Sequence, residues 1–236
     1  MQKKTEYLHI THNENVYPIR IRRNPVARRM ILRFSKATGE ASLTLPASVP
    51  LEHGKSFIQK QIGWLEKRQN EIPDRTAFEE GAIILLRGEK LRIVRRDGRG
   101  VTHIVQETTP ALVIHCSPQH LSRRVTDYLK QEAIHDLHLA VAHFSTQINK
   151  KVKRISLRDT HSRWGSCSSS GSLNFSWRLI LAPPFVLEYL AAHEVAHLQE
   201  MNHSPRFWAL ARFLFPETDK AEQWLKKFGS SLHLYG

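Results

Sequence analysis

His193, Glu194 and His197 lie in the run HEVAH, and His203 follows six residues after His197. A helix brings residues four apart onto one face. His193 and His197 can therefore hold one metal ion from a single rigid element. Glu194 points to nearly the same side, where it reaches a water on that ion without having to ligate it. Two histidines at this spacing with a glutamate between them form the donor-and-base arrangement of zinc hydrolases. A structural zinc site is closed by a fourth protein ligand. Three histidines leave a fourth position for water, which is the catalytic pattern. Zinc is the expected cofactor, although imidazoles suit several transition metals.

The flanking residues supply the elements that such a site needs. Pro183-Pro184 suits a first helical turn, where a missing N–H costs little, and Phe185 to Leu198 is apolar on most sides, as in a buried helix. Asn202 suits the left-handed position past a helix end. Ser204-Pro205 reads as an N-cap and first residue of a second helix through Leu214. His203 then falls in a corner between two helices, from which its ring turns back toward the other two.

Upstream, residues 17 to 46 alternate as a small antiparallel sheet, with a turn at Lys36 to Glu40 around Gly39. Leu51 to Asn70 has helical periodicity and is broken at Ile72-Pro73-Asp74. Ala82 to Leu86, Lys90 to Arg95, His103 to Gln106 and Ala111 to His115 read as short strands, and Leu121 to Ile148 as a long amphipathic helix. Arg154 to Arg158 and Ser172 to Arg178 alternate as strands around a Ser- and Gly-rich loop, 161 to 171. A last helix spans about Thr218 to Phe228. No internal repeat is evident. The division predicted from this pattern is a β-rich N-terminal lobe with one helix, 1–117, and a catalytic lobe, 118–236.

At 236 residues, 41% hydrophobic and 24% charged, the chain is of globular composition. Cys116 and Cys167 form at most one bridge, which does not resemble a secreted disulfide scaffold. There is no apolar N-terminal segment of signal-peptide length and no uninterrupted membrane-length apolar run. The expectation is a soluble cytoplasmic protein without membrane association. The net charge of +13 favours polyanion partners, DNA among them. The competing reading is a solvated surface that resists aggregation. Nothing in the sequence speaks to oligomeric state.

Other residues have chemical readings that weigh less. His135, His138 and His143 on the long helix form a second candidate metal group, against the simpler reading of a solvated helix face. Cys167 is a candidate nucleophile, or else a small loop-supporting thiol. Arg163 is placed either to steady an oxyanion or to make hydrogen bonds within its loop. Trp164, Trp177, Phe207 and Trp208 read as core around the metal helix.

Two stretches, SRWGSCSSSGSLNFSWRLILAPP and LEYLAAHEVAHLQEMNHSPRFW, carry a wider pattern. Together they resemble the YgjP-like zinc metallopeptidases, relatives of the SprT and WLM proteases in the zincin class. The likeness is sharpest from residue 154 to 228. It implies an α+β fold, with a zincin-like lobe whose HExxH helix packs on a small sheet and a β-rich lobe in front. It also implies a zinc peptidase acting on protein or peptide substrates, with His193, His197 and His203 as ligands and Glu194 as general base. In zincins an edge strand beside the metal helix pairs with extended substrate, and by resemblance Leu173, Asn174, Phe175 and Ser176 have that role here. The alternative is that this strand only completes the sheet. A second function, that of a DNA-associated protein with structural zinc or DNA-dependent proteolysis, agrees with the basic charge and with the SprT relatives.

Overall fold

The computed structural model describes residues 6–71 and 74–236; the predicted break at Ile72-Pro73 lies outside them. The chain forms two compact units, Met1–Asp74 and Arg75–Gly236. The boundary falls well before the predicted 117/118. The reason is where the second group of strands buries its side chains. Ile84, Leu86, Leu91, Ile93, Leu112 and Ile114 share one core with Leu121, Val125 and Leu129 of the long helix. That sheet therefore belongs to the second unit.

In the first unit β1 (Glu6–His12) and β2 (Asn15–Asn24) form a hairpin. Asn13 and Glu14 at its tip both have left-handed φ, 45° and 62°, matching the two-residue turn that a twisted hairpin favours. β3 (Ile31–Phe34) and β4 (Ala41–Pro46) follow, and β4 pairs parallel with β2 and antiparallel with β3. Helix α1 (Leu51–Asn70) covers one face of this sheet, burying Ile58, Ile62 and Leu65 against Ile19, Ile21, Leu43 and Leu45. β1 was missed in the sequence because Leu8 and Ile10 are too short an alternation among polar residues.

The second unit opens on β5 (Ile83–Leu86), β6 (Glu89–Arg96), β7 (His103–Val105) and β8 (Ala111–His115), followed by helix α2 (Leu121–Gln147). Its strand order, β5-β6-β8-β7, repeats that of the first sheet, β1-β2-β4-β3. The pairing directions repeat as well, with a parallel middle pair and antiparallel outer pairs. The sequence shows no repeat because only alternation and turn spacing are shared, not side chains. The turn at Arg87-Gly88 is fixed by Arg87, which donates to both oxygens of Asp136 and to Glu132 on α2, each at 2.8 Å.

A third sheet has the order β10 (Gly165–Cys167), β11 (Ser172–Ser176), β9 (Arg154–Arg158). A 3-10 turn, Trp177–Leu181, leads into α3 (Pro184–Ala196), then α4 (Pro205–Leu214) and α5 (Thr218–Phe228). The chain is thus a mixed α/β protein of small sheets and helices, as the pattern predicted. No helix among the described residues is long and apolar enough to cross a membrane.

Candidate metal centre

Helix α3 is buried on nearly every side, so His193 and Glu194 are held by packing rather than by solvent-exposed rotamers. The regular helix ends at Ala196, and His197 is its C-cap. The chain then tightens, with Leu198 N–H donating to the Val195 carbonyl at 2.9 Å and Gln199 N–H to the Ala196 carbonyl at 3.1 Å. Asn202 is not among the residues with left-handed φ. That expectation was wrong because the helix stops six residues earlier and leaves through a turn in which no residue has positive φ. Ser204 does cap α4, its Oγ accepting from Phe207 N–H at 3.3 Å. The corner so made directs His203 back toward α3.

The structure brings the three histidines together, with their ligand atoms all within 4.8 Å of one another. His193 Nε2 and His203 Nε2 are 3.1 Å apart. Two nitrogens at ~2.0–2.1 Å from one tetrahedral zinc ion stand roughly 3.3 Å apart, so this pair is close to metal-ready. Two of the other ring nitrogens are engaged. His197 Nδ1 lies 2.9 Å from the Glu200 carbonyl, which only an N–H can satisfy. His193 Nδ1 lies 3.4 Å from the Tyr189 hydroxyl, which itself donates to Glu222 at 3.1 Å. Both partners favour protons on Nδ1 and lone pairs on Nε2, toward the shared point. Phe207 is fully buried beneath all three rings, with centroids 4.8, 4.4 and 4.7 Å from His193, His197 and His203. Burial, with the neighbouring imidazoles, pushes His193 down to about 3. Burial lowers His197 too. Neutral rings are the form that binds metal.

Glu194 is buried, and its Oε2 has no hydrogen-bond partner. Burial pushes its carboxyl up to about 8, opposed by the positive charge of Arg163. An unpartnered buried carboxylate oxygen beside three convergent imidazole nitrogens fits a metal site with one solvent position. Directly over it runs β10, an edge strand that sequence reading left inside a loop because its residues are Gly, Ser and Cys. Gly165 is the closest point. A methyl group built there would overlap the Glu194 carboxylate, with its Cγ and Cδ at only 2.8 Å.

β11 is the middle strand of its sheet. Leu173, Asn174 and Phe175 pair with β10 on one side and β9 on the other, and Ser176 N–H donates to Trp164. The main-chain role expected of Leu173 to Ser176 is therefore not open to them: their backbone groups are already used. The edge strands are β9 and β10, and of the two it is β10 that runs over Glu194.

The lesser candidates separate cleanly. Among the described residues only His193, His197 and His203 form a metal-competent cluster, and His135, His138 and His143 are exposed along α2. The Cys167 thiol is pushed up to about 11 by burial and by Glu194, so it is a thiol and not a thiolate nucleophile. The Arg163 side chain makes no hydrogen bond among the described residues, contrary to its expected structural role in the loop. Trp177 and Phe207 are core, while Trp164 and Trp208 are partly exposed. Tyr189 and Glu222 had no signal in the sequence, since α5 reaches α3 only through the tertiary fold.

Among solved structures, the crystal structure of the metallopeptidase zymogen of Pyrococcus abyssi abylysin is similar at 18% identity, with a TM-score of 0.36, covering 39% of this chain and 95% of that one. No curated protein matches the chain. Residues 28–228 match the YgjP-like, metallopeptidase domain family. That span contains the three histidines, Glu194 and the β10 edge, and the chain accordingly belongs to the YgjP-like metallopeptidase family.

Proposed function

We propose that the chain is a zinc-dependent endopeptidase, with His193, His197 and His203 as ligands and Glu194 as general base. A bound zinc ion supplies Lewis acidity and lowers the pKa of a coordinated water toward about 7. Glu194 takes a proton from the attacking water as its oxygen bonds to the peptide carbon, then passes that proton to the amine as the C–N bond breaks. The free edge of β10 holds an extended substrate by main-chain hydrogen bonds. Such pairing is weakly sequence-selective and suits flexible segments. The observation that carries this reading is the convergence of three imidazole ring nitrogens beside the unpartnered Glu194 oxygen. Purified protein should cleave casein, lose activity to a chelator and regain it with zinc. Glu194→Gln should retain stoichiometric metal and lose about 10²–10⁴-fold in rate. Loss of metal from that variant would make Glu194 a ligand instead.

A second reading is DNA association, with zinc structural or proteolysis tied to DNA-bound targets. It is favoured by the sheet face of the first unit opposite α1. Cross-strand register places Tyr7, Arg20, Ser42 and Arg33 in one row and Arg22 beside Thr44 in the next. None of these arginines has an acidic partner among the described residues. This reading predicts salt-sensitive DNA binding that Arg20→Ala/Arg22→Ala/Arg33→Ala weakens, and cleavage seen only with DNA present. DNA binding unaltered by the triple variant would remove it.

A further inference from the structure

The sheet β10-β11-β9 has two faces. Leu173 and Phe175 point into the core. The opposite face follows from register: Ser166 is level with Asn174, Asn174 with Ser156, and Ser176 with Arg158. A cavity of about 220 Å³ opens on this face and is lined by Arg158, Thr160, Arg163, Ser166, Asn174 and Ser176. It shares Gly165 and Ser166 with the hollow over the three histidines. The two therefore meet across the β10 edge.

The cavity is rich in donors and poor in acids. No carboxylate lines it. Neither Arg158 nor Arg163 has an ion-pair partner among the described residues; Arg158 Nε donates only to Asn174 Oδ1, at 3.3 Å. The nearest acid in sequence, Asp159, is committed to Arg178 at 2.7 Å. Two unpaired guanidiniums beside an amide and several hydroxyls are a site for an oxyanion. A peptide strand paired with β10 sends alternate side chains to opposite faces of the sheet. The side chains next to the one over the metal hollow therefore fall on this Arg- and Ser-bearing face.

We infer that this cavity receives the carboxylate side chain of an aspartate or glutamate in a substrate strand seated on β10, so that acidic flexible segments are the preferred substrates. This rests on the peptidase reading and names its substrate class. Arg158 and Arg163 donate to the carboxylate, and Asn174 turns its amide to follow Arg158.

The test is a peptide series in which each position flanking the cleaved bond is either Glu or Gln. Glu at one flanking position should raise kcat/KM by roughly tenfold over Gln. In Arg158→Gln that ratio should fall toward one, and in Arg158→Lys, which keeps the charge, it should survive. Equal cleavage of Glu and Gln peptides by the unmodified protein, or a ratio untouched by Arg158→Gln, overturns the inference. If no peptide is cleaved, the peptidase reading fails separately. Binding of labelled Glu and Gln peptides to Glu194→Gln protein then still decides the inference, with tighter Glu binding supporting it. Equal binding of the two peptides, together with Arg158-dependent binding of a short oligonucleotide, assigns the cavity to nucleic acid and overturns it.

Discussion

Gly165 is where one missing carbon atom decides the chemistry. β10 passes so close to Glu194 that a methyl group cannot fit without moving the carboxylate. Gly165→Ala should therefore leave the three histidines in place and displace the base, with metal retained at full stoichiometry and kcat reduced by at least about 10²-fold. Elemental analysis and single-turnover cleavage check the two halves separately. Tyr189 makes the opposite prediction. Its hydroxyl links His193 Nδ1 to Glu222, so Tyr189→Phe removes the group that orients a ligand and should weaken zinc by about 10–100-fold, read by competition with a chelating dye. The three-histidine cluster and the glutamate beside it were legible in the sequence because they lie in one short run with helical spacing. Gly165 was not, since a glycine in a Ser-rich stretch looks like a turn until a buried carboxylate is found against it. Tyr189 and Glu222 were not, because their pairing is made across two helices far apart in the chain.

At the scale of elements, periodicity located the helices and most strands closely, and proline and serine marked the start of α4. What it could not give was neighbourhood. Alternation identifies a strand from Ser172, read two residues too long to Arg178, but does not say whether one or both of its edges are free. Three residues of β10 were enough to make β11 central and to put β10 at the edge beside Glu194. The Ser204 cap is the element-scale feature most exposed to test, because it sets the corner that turns His203 inward. Ser204→Ala should cost about 1 kcal/mol of stability by denaturant titration. It should also weaken metal binding, as His203 loses its fixed approach. A loss of stability with metal affinity unchanged would separate the cap from the site.

For the whole molecule, the last residues close the second unit. Arg178 is buried and bonds Asp159 as well as the carbonyls of Leu232 and Tyr235, and Thr76 pairs with Tyr235. His233 sits within this closure, stacked on Trp164 and pushed down to about 4 by burial first and then by Arg178 and His161. An unfolded histidine titrates near 6.5. Between these values the unfolded chain takes up a proton that the folded one refuses. The contribution of this residue to stability is therefore complete above pH ~6.5 and is lost as pH falls toward 4. Denaturant titrations of metal-free protein at pH 7 and 5 should show a smaller difference in His233→Gln than in the unmodified chain.

Two sheets wired alike within one polypeptide pose a problem of self-recognition while the chain is still assembling. Gly54 marks one place where the first sheet and its helix fit each other closely. Leu43 lies 3.0 Å from where a Cβ on Gly54 would stand, so the strand seats a leucine in a hollow left by an absent side chain. The buried line of α2 begins with Leu121, Val125 and Leu129 and leaves no such hollow at that end. The close seat of Leu43 on α1 thus depends on a glycine that the Leu121, Val125, Leu129 end of α2 does not offer.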